Sequence, residues 1–413
     1  MIKKVFVRGP VLSQSGYGEQ SRFALRALKS RPDLFEVYVQ PLPWGQTGWI
    51  WEDTEMRRWM DERISLTMAL MNNKQLKPDI SIQITIPNEF QKLAPINMGY
   101  TAGIETTKVA PQWLVKGNEM DKILVVSNHA KTTYESTVAQ AQTPSGETRP
   151  YKMEKPIEVV WENTVRREPK EIPGFDLKTD FNFLMVSQMG PRKNFENAVK
   201  WWIEEFIDQE VGLVIKTNIR NNSQSDYQET LKIIKKFVSK YPDRKCKVHL
   251  LHGDLSASQM TWLYTNPKIK AMVNISHGEG FGLPLFEAAR EGLPVITIGW
   301  SGQQDFLVYD GKQYFQEVEY SIQQIQSFAV WKDVLEKDSG WAYADQGSYK
   351  MTLRRTMKQW DKAKKTAEDL RVLINEKFSD EKLFDGFCDA VYGEKIDVDS
   401  WLKELEEDFV EQE

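Results

Sequence analysis

Glu279 and Glu287 stand eight residues apart around a glycine-rich turn, in SHGEGFGLPLFEAAREGLPVITIG (276–299). The run KAMVNIS (270–276) reads as a strand end, and His277–Gly282 as a turn whose glycines tolerate positive φ. Pro284 suits the first turn of a helix, where its missing N–H costs nothing. Gly292 reads as the residue past the helix end, with Pro294 leading into the strand PVITIG. A helix start offers unpaired N–H groups and the positive end of the dipole, and glycines let a phosphate approach the backbone. Gly280, Phe281, Gly282 and Leu283 are therefore a candidate diphosphate cradle. Glu287 could accept hydrogen bonds from vicinal hydroxyls such as those of a ribose. Glu279 would then lie nearer the group being transferred. A tight turn with two exposed glutamates, one complementing the helix dipole, accounts for the same residues equally well.

The elements that must position this block are legible around it. Strand-like runs KKVFVRG (3–9), FEVYVQPL (35–42), DISIQITI (79–86), INMGYTA (96–102) and KILVVSN (122–128) alternate with helical stretches. In the first of these helices Phe23, Leu25, Ala27 and Leu28 mark a buried stripe. A polar, proline-bearing stretch (162–180) precedes a second series: FNFLMVSQ (181–188), VGLVIKTN (211–218), CKVHLLHG (246–253), KAMVNIS and PVITIG. Such alternation implies parallel sheets with right-handed crossovers, and two series imply two doubly wound α/β domains. Ligands bind beyond the carboxyl ends of such strands, so function should lie in the loops after them. Beyond residue 340 the pattern turns helical, with TLRRTMKQWDKAKKTAEDLRVLINEKF (352–378) reading as one long helix.

Length and charge bound the rest. The 413 residues exceed one ordinary core. No apolar run is long enough to span a membrane, and MIKKVFVRGP reads as a first strand, not a signal peptide. Cys246 and Cys388 follow no metal or redox spacing, which fits a cytoplasmic setting. The net charge of −5 argues against bulk nucleic-acid binding. It is uneven: residues 1–175 hold 23 basic against 20 acidic residues, while the tail 394–413 holds nine acids against two lysines. In that tail Trp401, Leu402, Leu405 and Phe409 fit one apolar face, so it reads as a docking helix.

The whole block, EGFGLP followed by FEAAREGLPVI and SGQQDF, resembles the signature of retaining glycosyltransferases of family four. The resemblance implies the GT-B fold: an acceptor domain (1–172), a nucleotide-sugar donor domain (173–375) and C-terminal helices (376–413) packing back on the first domain. It implies that MVSQMGPRKNFENAVKWW (185–202) supplies diphosphate contacts through Lys193, with Arg192 as second cation because Gln188 stands where the family carries an arginine. Lys216, ending LVIKTN, could sit behind the phosphates or pair locally. GPVLSQSGYGEQSRF (9–23) is similar to the family's first loop, where Gly16 and Gly18 would let the chain close over the donor. HLLHGDLSASQM (249–260) matches the nucleobase loop, with Asp254 and Leu255 as candidates, although Asp254 could equally cap the next helix. In the acceptor domain, Glu105 could orient or deprotonate an acceptor hydroxyl, or be a loop carboxylate. Trp44, Trp49 and Trp51 could stack on a sugar or base, but buried packing is the expectation for them. His129 is expected to help start a helix.

The reaction so implied is transfer of a sugar from a nucleotide-diphosphate sugar to an acceptor hydroxyl with retained configuration, by front-face attack and without a protein nucleophile. Arg192, Lys193 and the helix start would stabilise the departing diphosphate. No cofactor beyond the donor substrate is implied. The one D-x-D, Asp397 and Asp399, lies in the acidic tail and the histidines show no zinc spacing, so metal independence is expected. The acceptor could be a glycan or a hydroxymethylated DNA base, the latter not favoured by charge. A sugar-nucleotide epimerase of the same fold, or a non-catalytic sugar-nucleotide binding protein, are the alternatives.

Overall fold

A computed structural model describes residues 2–142 and 147–393. The tail expected to dock, and with it Asp397, Asp399 and Trp401, lies outside the described residues.

The first sheet comprises β1 (Lys3–Gly9), β2 (Phe35–Pro41), β3 (Ile80–Ile84), β4 (Ile96–Thr101), β5 (Lys122–Val125) and β6 (Ile157–Val159). All pair in parallel, in the order β2-β1-β3-β4-β5-β6. The second comprises β7 (Asn182–Val186), β8 (Gly212–Lys216), β9 (Lys247–Leu251), β10 (Ile269–Asn274), β11 (Val295–Ile298) and β12 (Gln316–Val318). It is also parallel, in the order β9-β8-β7-β10-β11-β12. Inner strands are buried on both faces, as Val5–Val7 and Leu213–Ile215 show, because helices cover each sheet on both sides. A hairpin, β13 (Tyr320–Gln324) and β14 (Gly340–Ala344), follows β12.

The helices are α1 (Gly16–Ser30), α2 (Glu55–Asn72), α3 (Pro111–Asn118), α4 (Asn128–Ser136), α5 (Phe195–Glu205), α6 (Gln224–Val238), α7 (Ala257–Thr265), α8 (Leu283–Arg290), α9 (Gln346–Lys358), α10 (Trp360–Lys377) and α11 (Asp380–Tyr392). Serines start many of them: Ser15, Ser127, Ser223, Ser256 and Ser379 each accept a bond from a first-turn N–H. The expected stripe of α1, Phe23, Leu25, Ala27 and Leu28, is fully buried.

One expectation is corrected. The long helix at 352–378 breaks at Gln359, whose φ of −118° and ψ of 37° leave the helical region. Trp360 turns inward there. Its Nε1–H donates to the Lys270 carbonyl at 3.0 Å and its ring lies 4.4 Å from the Lys270 ammonium. The break lets α9 bury Tyr349 and Leu353 while α10 buries Leu370 and Ile374 on another surface. α11 crosses to the first sheet's layer. Phe384 and Phe387 pack on Phe23 at 5.9 and 5.8 Å, and Cys388 Sγ donates to the Ala27 carbonyl.

The chain also crosses between the layers at 160–166. Arg26 donates to the Asn163 carbonyl at 2.9 Å, Arg290 to the Thr164 carbonyl at 2.7 Å, and Arg166 forks onto Glu291 at 2.7 and 3.0 Å. In this crossing Glu162 is 3% exposed. Burial, then the Glu19 carboxylate, push its carboxyl up to about 8, against Arg26. A carboxyl whose folded pKa is raised stabilises the fold below its unfolded value and loses that contribution as pH rises through the folded one. Between about pH 5 and 9 the wild type should therefore lose stability that Glu162→Gln retains. The variant should be the more stable at pH 8 by on the order of 2 kcal/mol, read as diverging melting curves across that range. Parallel curves would refute this assignment.

Candidate active site

In the second sheet the strand order reverses between β7 and β10, which places a crevice beyond their carboxyl ends. The loops after these two strands carry the charged residues. After β7, Pro191–Lys193 form one 3₁₀ turn and Asn194 takes a left-handed φ of 49°, a conformation asparagine tolerates. Asn194 Nδ2 reaches the Ile275 carbonyl, and the His277 N–H donates to the Arg192 carbonyl at 2.8 Å. The two loops are thus laced together before any ligand is considered.

Glu279 is the centre of this lacing. One oxygen accepts from Lys193 Nζ at 2.7 Å, Ser276 Oγ at 2.8 Å and Asn274 Nδ2 at 3.1 Å. The other accepts from Lys193 at 2.8 Å and Arg192 Nη1 at 3.0 Å. Its own N–H donates to Ser301 Oγ, and its carbonyl accepts from Gly302. Burial works to raise this carboxyl, but Lys193 and Arg192 hold it far below the ordinary range. Arg192 also reaches Glu105 across the cleft, at 3.4 Å. Burial raises the Glu105 carboxyl, and Arg192 only partly offsets that. Burial and the neighbouring Arg192 pull Lys193 down, against Glu279. The four residues the sequence singled out for chemistry, Glu105, Arg192, Lys193 and Glu279, form one ion-pair network, with Glu279 buried and the other three half-buried.

The glycines have a second reason besides ligand approach. A Cβ on Gly280 would collide with the Ala102 carbonyl, and one on Gly278 with the Glu105 carbonyl. The glycine turn is therefore where the backbones of the two domains touch. Gly282 is glycine for its φ of +98° at the start of α8. Leu283 and Pro284 follow in the first helical turn, facing the cleft. Tyr17, from the S-G-Y-G run, supports the opposing loop. Its hydroxyl bonds Thr101 Oγ1 at 2.7 Å and accepts from the Gly103 N–H at 3.0 Å.

A cleft of about 2500 Å³ separates the domains, lined among others by Gly16, Lys216, Asp254, Leu255, Gly280, Phe281, Gly282, Leu283 and Glu287. Glu287 accepts from the Tyr264 hydroxyl at 2.8 Å, and burial raises its carboxyl. Burial lowers Lys216, with Asp254 opposing. Asp254 bonds Asn222 Nδ2, and the cap of α7 is Ser256 instead, in a capping box with Gln259. Gln188 donates to the Ile219 carbonyl at 2.7 Å. Gly18 is buried under the Ser13 carbonyl and does not line the cleft. Buried packing does not hold for all three tryptophans. Trp44 lies on Tyr17, with ring centroids 4.5 Å apart, but Trp49 and Trp51 are 58% and 71% exposed. His129 lies in α4, behind the cap Ser127.

Sequence reasoning missed three kinds of contributor. Asn274 and Ser276 donate to the Glu279 carboxylate and Ser301 Oγ accepts from the Glu279 N–H, contacts that only the folded neighbourhood of Glu279 could have flagged. Asp226 gathers the N–H groups of Ile219, Arg220 and Asn221 and a 2.8 Å bond from His252 Nε2. Burial works to raise its carboxyl, but these bonds pull it down to about 2. His277 stacks on Trp341 at 4.8 Å, and its Nδ1 lies 2.6 Å from the Ala342 carbonyl, so that nitrogen carries the proton. Among the described residues no cluster of His, Cys, Asp or Glu is arranged to hold a metal ion, and no helix is long and apolar enough to cross a membrane.

No protein-family model matches the chain, and no curated protein sequence does. Solved structures do. The sucrose-phosphate synthase of Thermosynechococcus elongatus matches at a TM-score of 0.59 and 13% identity, over 92% of this chain and 96% of that one. Anabaena Alr3699/HepE, in complex with UDP and glucose, matches at 0.57 and 10% identity, over 94% and 99%. S. aureus TarM matches over 80% of this chain and 59% of that one, at 0.49 and 13% identity. Two doubly wound parallel sheets facing a cleft, with C-terminal helices, are the GT-B fold.

Two substitutions probe the network. Glu279→Gln leaves two half-buried cations undercompensated and should cost about 1–3 kcal/mol at neutral pH, less than in a fully buried pair because water reaches both cations. A carboxyl with a depressed folded pKa stabilises above its unfolded value, about 4.3, and loses that as pH falls through the folded one. The gap between wild type and variant in thermal melts should therefore narrow below about pH 4. Gly280→Ala should destabilise by about 1–3 kcal/mol through overpacking and enlarge the radius of gyration in solution scattering. An unchanged radius and melting point would place the domain contact elsewhere.

Proposed function

We propose that this chain is a glycosyltransferase that moves a sugar from a nucleotide-diphosphate sugar to an acceptor hydroxyl, with retention of configuration. The observation that carries the reading is the pair Arg192 and Lys193, held on Glu279 just before the N-terminus of α8 and lining the same cleft as that helix start, at the switch point of the second sheet. Both features suit a diphosphate. The fold-level likeness to a structure holding UDP and glucose, and the E-x7-E block, support the same reading.

On this reading the donor lies on the second domain, with Lys216 behind its phosphates, its nucleobase toward Asp254 and Leu255 and its ribose on Glu287. Gly16 borders the phosphates from the opposite wall. With both oxygens saturated and its pKa depressed, Glu279 is a poor nucleophile. It holds Lys193 and Arg192 in position, so they need not reorganise as charge develops on the leaving diphosphate. With no protein nucleophile, attack comes from the face the diphosphate leaves, and that phosphate takes the acceptor's proton. Glu105, across the cleft, orients the acceptor hydroxyl. No residue role here uses a metal ion.

The test is a thermal-shift screen with UDP, GDP, ADP and their sugars, since a ligand of the native state raises stability by mass action. At least one nucleotide diphosphate should raise the melting temperature, with chelator present or absent. Silence from all of them would end this reading. Glu287→Gln retains an acceptor for Tyr264 but loses the charge. It should weaken nucleotide-diphosphate binding about tenfold, the worth of one hydrogen bond to a charged group. Wild-type affinity in that variant would remove the ribose role.

A further inference from the structure

The segment between β12 and α9 departs from the strand–helix rhythm of its sheet. The hairpin β13–β14 holds a tip, residues 325–339, that leaves the second domain and rests on the first. Asn88 Nδ2 donates to the Asp333 carbonyl at 3.0 Å, and Lys108 pairs with Asp338 at 2.6 Å. Thr107 and Gly340 exchange two bonds of 2.9 Å. Underneath, Ile325, Ala329 and Trp341 are buried, and Trp331 and Leu335 bond each other's backbones at 3.1 and 2.7 Å. The tip is pinned on three sides.

Its most costly residue is nevertheless displayed. Trp331 is 59% exposed and lines the cleft, with Val334 and Leu335 beside it and Ile86 and Glu89 on the facing turn. The fold has room for buried indoles, as Trp113, Trp202 and Trp341 show, so this one is held out by its scaffold. An ordered indole on a cleft wall offers a flat apolar face to a ring. Either a pyranose or a nucleobase could lie on it, and charge decides between them. The carboxylates on this wall are Glu89 and Glu105. Arg8, beside the same turn, gives its guanidinium to Gln83 and the Glu89 carbonyl, Arg192 and Glu105 offset each other, and the tip's Lys332 and Lys337 are exposed outside the cleft lining, so the charge this wall adds is that of Glu89. Carboxylates repel a phosphodiester backbone and accept hydrogen bonds from sugar hydroxyls.

We propose that Trp331 is the stacking platform of an acceptor subsite for a neutral pyranose, with Glu89 and Glu105 accepting from its hydroxyls. The acceptor is then a glycan, read by a tip that belongs to the donor domain. This rests on the glycosyl-transfer reading above.

The test uses the full chain with whichever nucleotide diphosphate shifts its melting temperature. Methyl glycosides of glucose, galactose and mannose, with maltose and lactose, are titrated by saturation-transfer NMR. A hydroxymethylcytosine-containing DNA duplex is titrated in parallel. At least one glycoside should bind. Trp331→Ala should weaken it about tenfold or more, as loss of a stacking face does, while Trp331→Phe stays within about threefold of wild type. The nucleotide-induced melting shift should be the same in all three proteins. Phe328→Ala, on the same tip but away from the cleft, should change nothing and controls for damage to the tip. Undiminished glycoside binding by Trp331→Ala overturns the proposal. So does Trp331-dependent binding of the duplex in place of every glycoside. Failure of all glycosides beside an intact nucleotide shift removes the subsite and leaves the donor reading standing. No nucleotide shift at all removes both.

Discussion

Arg192 belongs to both domains. It issues from the loop after β7, meets Glu279 in its own domain and reaches Glu105 in the other. Taking such charges out of water is expensive, and their mutual attraction repays the expense only when every lone pair and proton is placed. Ser276, Asn274 and Ser301 complete that placement around Glu279, and Asn194 fixes the loop the cations stand on. The network therefore sets three things at once: where the cations point, how close the domains lie, and how much positive potential the cleft offers an anion. Glu105, with its raised pKa, tilts that potential. Each proton it takes up leaves the pair of cations less neutralised.

The glycine turn shows the same constraint in backbone terms. It can lie against Ala102 and Glu105 only because residues 278 and 280 have no side chain. Charges and close backbone contact thus meet within a few residues, and the start of α8 opens between them.

Much of this was legible in the sequence. The ten strands read from apolar runs are all present, because buried parallel strands are apolar on both faces. β6 and β12 went unread: each is three residues long at a sheet edge, and IEV and QEV carry no pattern. The helix break at Gln359 was hidden because periodicity continues through it, and only the docking of Trp360 reveals it. Within the site, residue types and spacing brought Glu279, Lys193, Arg192 and Glu105 into view. What spacing could not convey is partnership. Glu279, read as a group for the sugar, is also clamped by two cations, and Gly280, read as part of a phosphate cradle, also lies under a carbonyl. Asp226 acts through a local loop, residues 219–221, together with His252, His277 acts through Trp341 and Ala342 far along the chain, and Trp331 stands in a stretch with no motif around it.

The chain passes between the domains twice, once near residue 163 and again near residue 380, and Asn163 Nδ2 donates directly to Asp380 Oδ1 at 2.6 Å. Two covalent strands joined side by side behave as a pin with a single axis, where one linker would behave as a ball joint. Any opening of the cleft is then a swing about that pin, and twist or lateral slide is suppressed. Parts far from the pin travel farthest, and the tip carrying Trp331 must lift off Asn88 and Lys108 as they do. An opened molecule would present its two walls along one repeatable arc, so a ligand entering there meets the same sequence of surfaces every time.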